Sequence, residues 1–255
     1  MNLIADIGNS SVKAAVFSGQ DLVERCRIDS DPQRLLLDLV ERFPIAHCGV
    51  SIVGADAQEV LPSLRRWAQE HLGEDVLVVD GTTPTPLVID YRTPYTLGAD
   101  RLAACVGAAS LCPARELLVV DAGTCVTYDR VSAAGHYLGG NISPGVGIRL
   151  RMLHSETAAL PLVDAQGETP CWGYDTVTAL RSGVLRGIAL EVEGYIRLFR
   201  QQHPEGHVYM TGGNGHRFAL ALPDVDHQDD LVERGINEIV RYHTATDPQT
   251  HPPLA

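Results

Sequence analysis

Two stretches of this sequence carry the same pattern: Leu3-Ile4-Ala5-Asp6-Ile7-Gly8-Asn9-Ser10 near the start, and Leu117-Leu118-Val119-Val120-Asp121-Ala122-Gly123-Thr124 near the middle. Each is an apolar run of strand length that meets an Asp, one further residue, a Gly and a small polar residue. Glycine lets the chain turn sharply after such a strand. Because the pattern opens each half of the chain, it predicts a duplicated α/β fold whose two turns face each other across a cleft.

The segments around the two turns have alternating strand and helix patterns. In the first half the predicted elements are a hairpin of 12–17 and 22–27, helices at 35–43 and 58–72, and strands at 50–53 and 76–79. In the second half they are a hairpin of 126–130 and 136–140, a long helix at 175–202, a strand at 208–210 and a last helix at 230–242. The Pro-, Thr- and His-rich tail, 243–255, is predicted to be disordered.

The overall charge excludes several classes of partner. The 255 residues include 32 acidic and 20 basic side chains, a formal net charge of −12. Such a chain repels nucleic acid and anionic membrane surfaces, so neither is expected as a partner.

The N-terminus has no basic region followed by an apolar run, and no stretch reaches the ~18 apolar residues of a membrane span. These features predict a soluble, cytoplasmic protein.

The first turn has the chemistry of a phosphate site. Gly8 permits a tight bend, so that backbone amides and the hydroxyls of Ser10 and Ser11 can surround phosphate oxygens. Lys13 would add a positive charge, and Asp6 could hold a magnesium ion or its waters. The alternative is an ordinary hairpin turn with an acid at the strand end. In the second turn Asp121 would bind a cation and Thr124 would contact a phosphate, with the same alternative.

A second set of polar residues lies between the turns, in Gly98-Ala99-Asp100-Arg101. A small-residue helix is predicted to begin near Asp100, and an Asp at a helix N-terminus is stabilised as the anion. Position alone favours a helix cap, but an anionic Asp can also accept the proton of a substrate hydroxyl. Arg101 offers a fork suited to a carboxylate, or else a surface ion pair.

Glycines mark two further places. Thr211-Gly212-Gly213 ends a strand, where a flat ring or ribose could lie against bare backbone, or where the glycines only form a loop. Gly183, Gly187 and Gly194 lie within the long helix, where each costs ~1 kcal/mol. Close packing of another helix explains that cost, either from the same subunit or from a second copy of the chain.

Together these pieces resemble the type III pantothenate kinases of the acetate kinase, sugar kinase, Hsp70 and actin superfamily. The resemblance runs from Asn2 to about Val240. It is carried by Asp6 to Lys13, Tyr91, Gly98 to Arg101, Asp121 to Thr127, Gly139-Gly140-Asn141-Ile142-Ser143-Pro144-Gly145, Thr176 and Thr211 to Gly213. One departure is Ser10, where Thr is common; the hydroxyl is kept.

The resemblance implies an actin-like (ribonuclease H-like) fold with domains at 1–114 and 115–242 and an ATP cleft between them. It also implies ATP-dependent phosphorylation of pantothenate to 4'-phosphopantothenate, the first step of coenzyme A biosynthesis. Asp100 would be the general base. The ATP phosphates would be held by Asp6, Ile7, Gly8, Asn9, Ser10, Ser11, Val12, Lys13 and Thr124. Pantothenate would be bound by Tyr91, Gly98, Ala99, Asp100, Arg101 and Thr176.

The family also needs a monovalent cation, K⁺ or NH₄⁺, beside Mg²⁺, and Asp121 would be its ligand. It works as a homodimer with pantothenate bound close to the subunit interface. Two rival functions use the same scaffold: a regulatory or accessory protein, and a kinase with another small acceptor such as a sugar. Retention of Asp6, Asp100 and Asp121 favours an enzyme over an inert binder.

Overall fold

The structure, a computed structural model, describes residues 1–8, 12–28, 32–52, 57–220, 222 and 224–246. The first half of the chain contains five main strands and three helices within these ranges. They are β1 (Asn2–Ile7), β2 (Val12–Ser18), β3 (Asp21–Ile28), α1 (Pro32–Arg42), β4 (His47–Ile52), α2 (Ala57–His71), β5 (Leu77–Val79), the short β6 (Val88–Ile89) and α3 (Ala99–Leu111).

The second half repeats the plan. Its elements are β7 (Leu117–Ala122), β8 (Cys125–Val131), β9 (His136–Pro144), α4 (Val146–Ser155), α5 (Thr176–Gln202), β10 (His207–Thr211), α6 (Gly215–Ala219), β11 (Asp226–His227) and α7 (Leu231–Thr246). Among the described helices, none combines the length and the apolar character that a membrane span requires.

The two sheets have the same strand order. The first runs β3-β2-β1-β4-β5, and the second runs β9-β8-β7-β10-β11 with β6 added beside β9. In both, the first strand pairs in parallel with the strand that follows the helical connection: β1 with β4, and β7 with β10. A shared order of five strands with the same parallel neighbours confirms that the fold is duplicated, as the repeated turns predict.

The first sheet is covered on both faces, so all six residues of β1 are buried. Leu3, Ala5 and Ile7 pack in one apolar cluster with residues of α1 and α2. On the opposite face Ile4 and Gly49 lie under α7, where a Cβ atom at Gly49 would come 2.4 Å from Val240 Cγ2. Alternate residues of β1 thus face opposite helical layers, which is the α/β arrangement expected from the sequence.

Helices α3 and α7 pack backbone to backbone. A Cβ atom at Gly107 would lie 2.2 Å from the Leu231 carbonyl oxygen, and one at Gly235 would lie 1.7 Å from that of Ala103. Only glycine permits this approach at the two crossing points. The crossing holds the middle of α3 against α7, and α3 carries the Gly98–Arg101 motif at its start.

The chain separates into two compact units. One comprises Met1–Ala114, Val131–Leu138 and Asp230–Ala255, and the other Arg115–Arg130 and Gly139–Asp229. Helix α7 is thus grouped with the first half of the chain, whereas the division made from the sequence puts 230–242 in the second domain. In the second unit the core is built by β7, β10 and the inward face of α5, including Ile188 and Val192.

The elements predicted from periodicity are present, with ends that differ by a few residues. Helix α7 continues to Thr246, and the rest of the predicted tail, 247–255, lies outside the described residues. Helix α4 was not predicted. Apolar Ile148, Leu150 and Met152 alternate there with Arg149 and Arg151, a period-2 pattern that conceals a helix.

Candidate active site

The hairpin of β1 and β2 holds Asp6 and Lys13 side by side. The two residues are cross-strand partners, and Lys13 Nζ lies 3.6 Å from Asp6 Oδ2. Ser51, opposite Asp6 on β4, donates a hydrogen bond of 2.6 Å from its hydroxyl to Asp6 Oδ1. Asp6 is 7% exposed. The carboxylate is therefore oriented from two sides at the end of the strand.

Between these strands, Ile7 pairs with Val12 and both side chains are buried in the core. Of the predicted phosphate-binding residues, Asn9, Ser10 and Ser11 lie outside the described residues. The described part of the segment thus consists of a charged pair at the sheet end, an apolar pair that anchors the hairpin, and Gly8, which follows β1 and is half-buried.

The first turn of α3 carries Asp100. Gly98 is the N-cap residue and provides no side-chain hydrogen bond, so Asp100 is not the cap; it lies two residues into the helix. Asp100 Oδ1 accepts the backbone N–H of Arg101 at 2.8 Å. The helix N-terminus favours the carboxylate form. A Cβ atom at Gly98 would lie 2.5 Å from Asp100 Oδ1, so a glycine there leaves room for this carboxylate.

Arg101 is 7% exposed. That burial does not fit the alternative of a surface ion pair. Its stem passes beside Gly98, where a Cβ atom would lie 3.8 Å from Arg101 Cδ. Ala99 is also buried. The motif therefore presents one partly exposed carboxylate on a rigid, buried base.

Tyr91 belongs to an irregular segment that is tied to β9. The backbone N–H of Asp90 donates to the Tyr137 carbonyl at 3.0 Å, and the Asp90 carboxylate contacts His136 Nδ1 at 2.8 Å. The Tyr91 ring lies edge-on to that of Tyr137, with centroids 5.9 Å apart. These contacts fix the position of Tyr91 within the first unit.

In the second unit, Asp121 lies at the end of β7 among bare glycines. A Cβ atom would come within 3.1 Å of Asp121 Oδ1 at Gly123 and within 2.2 Å at Gly212. Gly212 also has φ +88°, a conformation that favours glycine. The sequence of Thr211–Gly213 suggests either a ring or ribose site or a plain loop. In the structure this segment approaches the Asp121 carboxylate at Gly212.

The Gly139–Gly145 segment packs on the same turn. Gly145 donates its backbone N–H to the Thr124 carbonyl at 3.1 Å, and a Cβ atom there would lie 2.4 Å from that oxygen. A Cβ atom at Gly140 would lie 2.0 Å from the Tyr128 carbonyl oxygen. Two glycines of the motif are thus required by close approach to β8 and to the turn that precedes it.

A polar network behind this segment has no signal in the sequence. Arg149 donates from Nη2 to Glu191 and to Ser143 Oγ, and from Nε to the Pro144 carbonyl. Tyr128 donates its hydroxyl to Glu191 Oε1 at 3.0 Å. Burial opposes the charge of Glu191, but hydrogen bonds from Arg149, Ser143 and Tyr128 hold the pKa of that carboxyl below its ordinary value. The network ties the end of β9 to the middle of α5.

Thr176 is the first residue of α5. Asp175 caps the helix through a capping box, in which Thr178 donates its backbone N–H to Asp175 Oδ1 at 2.7 Å. Thr176 is exposed and lines a groove of about 870 Å³ between α4 and α5. The groove walls are mostly apolar and include Met152, Leu153, Leu180, Gly183 and Val184.

Within its two units the structure groups the predicted residues into local clusters. Asp6 and Lys13 form one, Gly98, Asp100 and Arg101 a second, and Asp121, Gly123 and Gly212 a third. Sequence reasoning missed Ser51, Arg149 and Glu191, because their partners lie on other elements and no local spacing in the sequence marks them.

Solved structures with the same fold support the α/β assignment. A Campylobacter jejuni protein named for the Baf family of transcriptional activators has a TM-score of 0.62 at 22% identity, over 95% of this chain and 99% of that one. A Sinorhizobium meliloti protein named as a candidate 2-dehydro-3-deoxygalactonokinase has a TM-score of 0.56 at 16% identity, over 95% and 99%. Together with the duplicated sheets, these likenesses confirm the predicted actin-like α/β fold.

Sequence comparison gives the family. The model of the type III pantothenate kinase family matches residues 2–198. A type III pantothenate kinase of Phocaeicola vulgatus is 42% identical over 95% of this chain and 99% of its own length, and one of Bacteroides fragilis is 41% identical over 95% and 98%. This chain belongs to the type III pantothenate kinase family.

Proposed function

We propose that this protein transfers the γ-phosphate of ATP to the primary hydroxyl of pantothenate and so forms 4'-phosphopantothenate in the first step of coenzyme A biosynthesis. The observation that carries the proposal is full-length similarity to type III pantothenate kinases together with an oriented carboxylate, Asp100, at a helix N-terminus. The use of ATP as donor favours a cytoplasmic location.

The proposed roles divide between the two halves of the chain, 1–114 and 115–242. In the first, Asp6 to Lys13 would hold the ATP phosphates, and Asp100 would accept the proton of the attacking hydroxyl. Pantothenate would be bound by Tyr91, Gly98, Ala99 and Arg101. The Arg101 guanidinium would pair with the carboxylate of pantothenate. In the second half, Thr124 would contact a phosphate and Thr176 would contact pantothenate.

Most of the rate would come from alignment. Phosphoryl transfer passes through a loose transition state, so positioning and charge neutralisation carry the catalysis. Lys13 would neutralise phosphate charge, and Asp6, bound by Ser51, would orient the magnesium ion of MgATP or its waters. Asp100 would hold the hydroxyl in line, because the Arg101 N–H orients its carboxylate and Gly98 leaves room for it.

Asp121 would be a ligand of the monovalent cation. Hard cations take oxygen ligands, and the Asp121 carboxylate lies close to the backbone of Gly123 and Gly212 at the end of β7. Such a site suits K⁺ or NH₄⁺. The cation would supply positive charge close to the phosphates.

The exposed face of α5 would form a homodimer interface. Gly183, Gly187, Leu190, Gly194 and Leu198 follow one another at intervals of three or four residues and so lie on one helix face. Leu190 is 68% exposed and Leu198 is 55% exposed. A Cβ atom at Gly183 or Gly194 would meet no atom of the described chain within 4 Å, which favours packing by a second copy.

Replacing Leu190 by Glu is therefore expected to produce a monomer, because a charge would be buried against the partner helix. Light scattering coupled to size exclusion should show the mass of a dimer for the wild type and half that mass for the variant. Leu220→Glu is a matched control, since Leu220 is 74% exposed but lies off this face. A wild-type protein of monomer mass would contradict the proposed dimer.

The function itself is tested by ADP release from MgATP, with and without pantothenate, in potassium and then in sodium buffer. ADP that appears only with pantothenate, and faster in potassium, is the expected result. Equal release with a sugar acceptor would favour another kinase of the superfamily. Folded protein without turnover in any buffer would contradict the proposal and favour a regulatory role.

A further inference from the structure

One face of the first sheet carries charged side chains next to the proposed phosphate turn. In an antiparallel pair, opposite residues share a face, and so do residues two apart on one strand. Asp6 pairs with Lys13, and Ala15 pairs with Arg25. Asp6, Lys13 and Arg25 therefore lie on one face, which is the face covered by α7.

Helix α7 places Glu233 on that face. Its side chain is fully buried. Its Oε1 accepts a hydrogen bond of 2.9 Å from Arg25 Nε and lies 2.9 Å from Arg25 Nη2 in an ion pair. Within the described part of the chain, Glu233 Oε2 is buried and has no hydrogen-bond partner. A buried carboxylate is costly unless it is paired. The ion pair with Arg25 therefore offsets part of this cost. Because the carboxylate is buried, little water is present to screen the charge on Glu233.

The field of Glu233 reaches the pair of Lys13 and Asp6. Burial raises the pKa of the Glu233 carboxyl; the Lys13 and Arg25 cations oppose that rise, and the Asp6 carboxylate adds to it. Coulomb interactions are mutual, so Glu233 attracts Lys13 and repels Asp6 in turn. On this face of β2 the residue next to Lys13 is Ala15, which pairs with Arg25 and is small and fully buried. No larger side chain of β2 therefore lies between Lys13 and the pair of Arg25 and Glu233.

We propose that Glu233 is a positioning residue for nucleotide binding. Together with Arg25 it balances the charge on the face of the first sheet that α7 covers, so that Asp6 and Lys13 remain available to the magnesium ion and the phosphates of ATP. The inference rests on the proposed assignment of Asp6 to Lys13 to the ATP phosphates. The four side chains carry two positive and two negative charges. Loss of Glu233 alone leaves an excess of one positive charge, and loss of Arg25 alone leaves an excess of one negative charge.

The two single variants should therefore change ATP binding in opposite directions. In isothermal titration with ATP in EDTA, Glu233→Gln is expected to bind metal-free ATP about threefold to tenfold more tightly, and Arg25→Gln to bind it more weakly by a similar factor. The gain in affinity on adding MgCl₂ should shrink in Glu233→Gln, because the excess positive charge repels the metal ion. It should grow in Arg25→Gln, because the excess negative charge attracts the metal ion.

The double variant Arg25→Gln/Glu233→Gln restores the balance and is expected to return both values toward the wild type. Glu238→Gln is the matched control, because Glu238 lies on the same helix but pairs with Arg241 at 2.7 Å. If Glu233→Gln does not fold, Arg25→Gln still tests the proposal, because its weaker binding of metal-free ATP should come with a larger gain in affinity on adding MgCl₂, which a purely structural role does not predict.

A purely structural role would weaken ATP binding in both single variants, and that result would overturn the inference. So would unchanged binding in both, while the wild type binds ATP. A wild type that binds no ATP with or without MgCl₂ would overturn the proposed phosphate site and this inference with it. A wild type that binds ATP but does not phosphorylate pantothenate would contradict only the proposed substrate.

Discussion

The variant Asp100→Asn is expected to lose about 10²–10⁴-fold in turnover, the range that a positioned general base contributes. Asn keeps the size of the side chain and can still accept the Arg101 N–H, but its amide cannot take a proton from the substrate hydroxyl. The KM values for ATP and pantothenate should stay within about threefold, because only the transition state loses an interaction. Steady-state kinetics with both substrates measures the two effects separately.

Asp38→Asn is the control for Asp100→Asn. Asp38 is an exposed carboxylate of the same unit that pairs with Arg42 on α1, and its loss should leave turnover close to that of the wild type. Both variants should unfold at the wild-type temperature. Near-normal turnover of Asp100→Asn would remove Asp100 from the role of base and leave it as part of the helix N-terminus.

The variant Gly212→Ala is expected to lose both activity and its response to potassium. Gly212 has φ +88°, and a Cβ atom there would lie 2.2 Å from Asp121 Oδ1 and 2.6 Å from the Ala122 carbonyl carbon. The left-handed backbone costs about 1–2 kcal/mol for alanine, and overpacking costs about 1–3 kcal/mol more. The Asp121 carboxylate would have to move, which would displace the proposed cation ligand.

We expect kcat/KM to fall at least about tenfold, which corresponds to about 1.4 kcal/mol of transition-state stabilisation. The ratio of rates in potassium and sodium should approach one, and the unfolding midpoint should fall. Gly73→Ala provides a control for the backbone strain alone, since Gly73 has φ +71° and a Cβ atom there would meet nothing of the described chain within 4 Å. A Gly212→Ala protein that kept its potassium response would show that Asp121 does not hold the cation.

Local sequence predicts the elements of this fold well where the pattern is strong. The apolar run Leu117 to Val120 and the long amphipathic pattern of α5 need no tertiary information. A strand that is buried on both faces is a short, continuous apolar run, and a helix with one buried face has apolar residues at a period of 3.6. The predicted cap of α5 illustrates the limit of local rules. Either Asp175 or Thr176 fits the sequence, and the capping box with Thr178 selects Asp175.

The position of Asp100 shows what local sequence leaves open. The sequence predicts a helix that begins near Asp100, but it does not show whether Asp100 caps that helix or lies inside its first turn. In the structure the cap is Gly98, and Asp100 follows inside the first turn. Burial of Arg101 likewise cannot be predicted from its neighbours, since arginine is usually exposed.

The sequence by itself determined the repeated strand and turn, the fold class and the family, because these depend on residue types at short spacings. Tertiary structure alone decided that Glu233 is buried against Arg25, that Gly212 packs on Asp121, and that Arg149 joins Glu191. Each of these pairs joins residues far apart in the chain, from 42 positions between Arg149 and Glu191 to 208 between Arg25 and Glu233. Contacts at such separations follow from how sheets and helices pack, and no local periodicity records them.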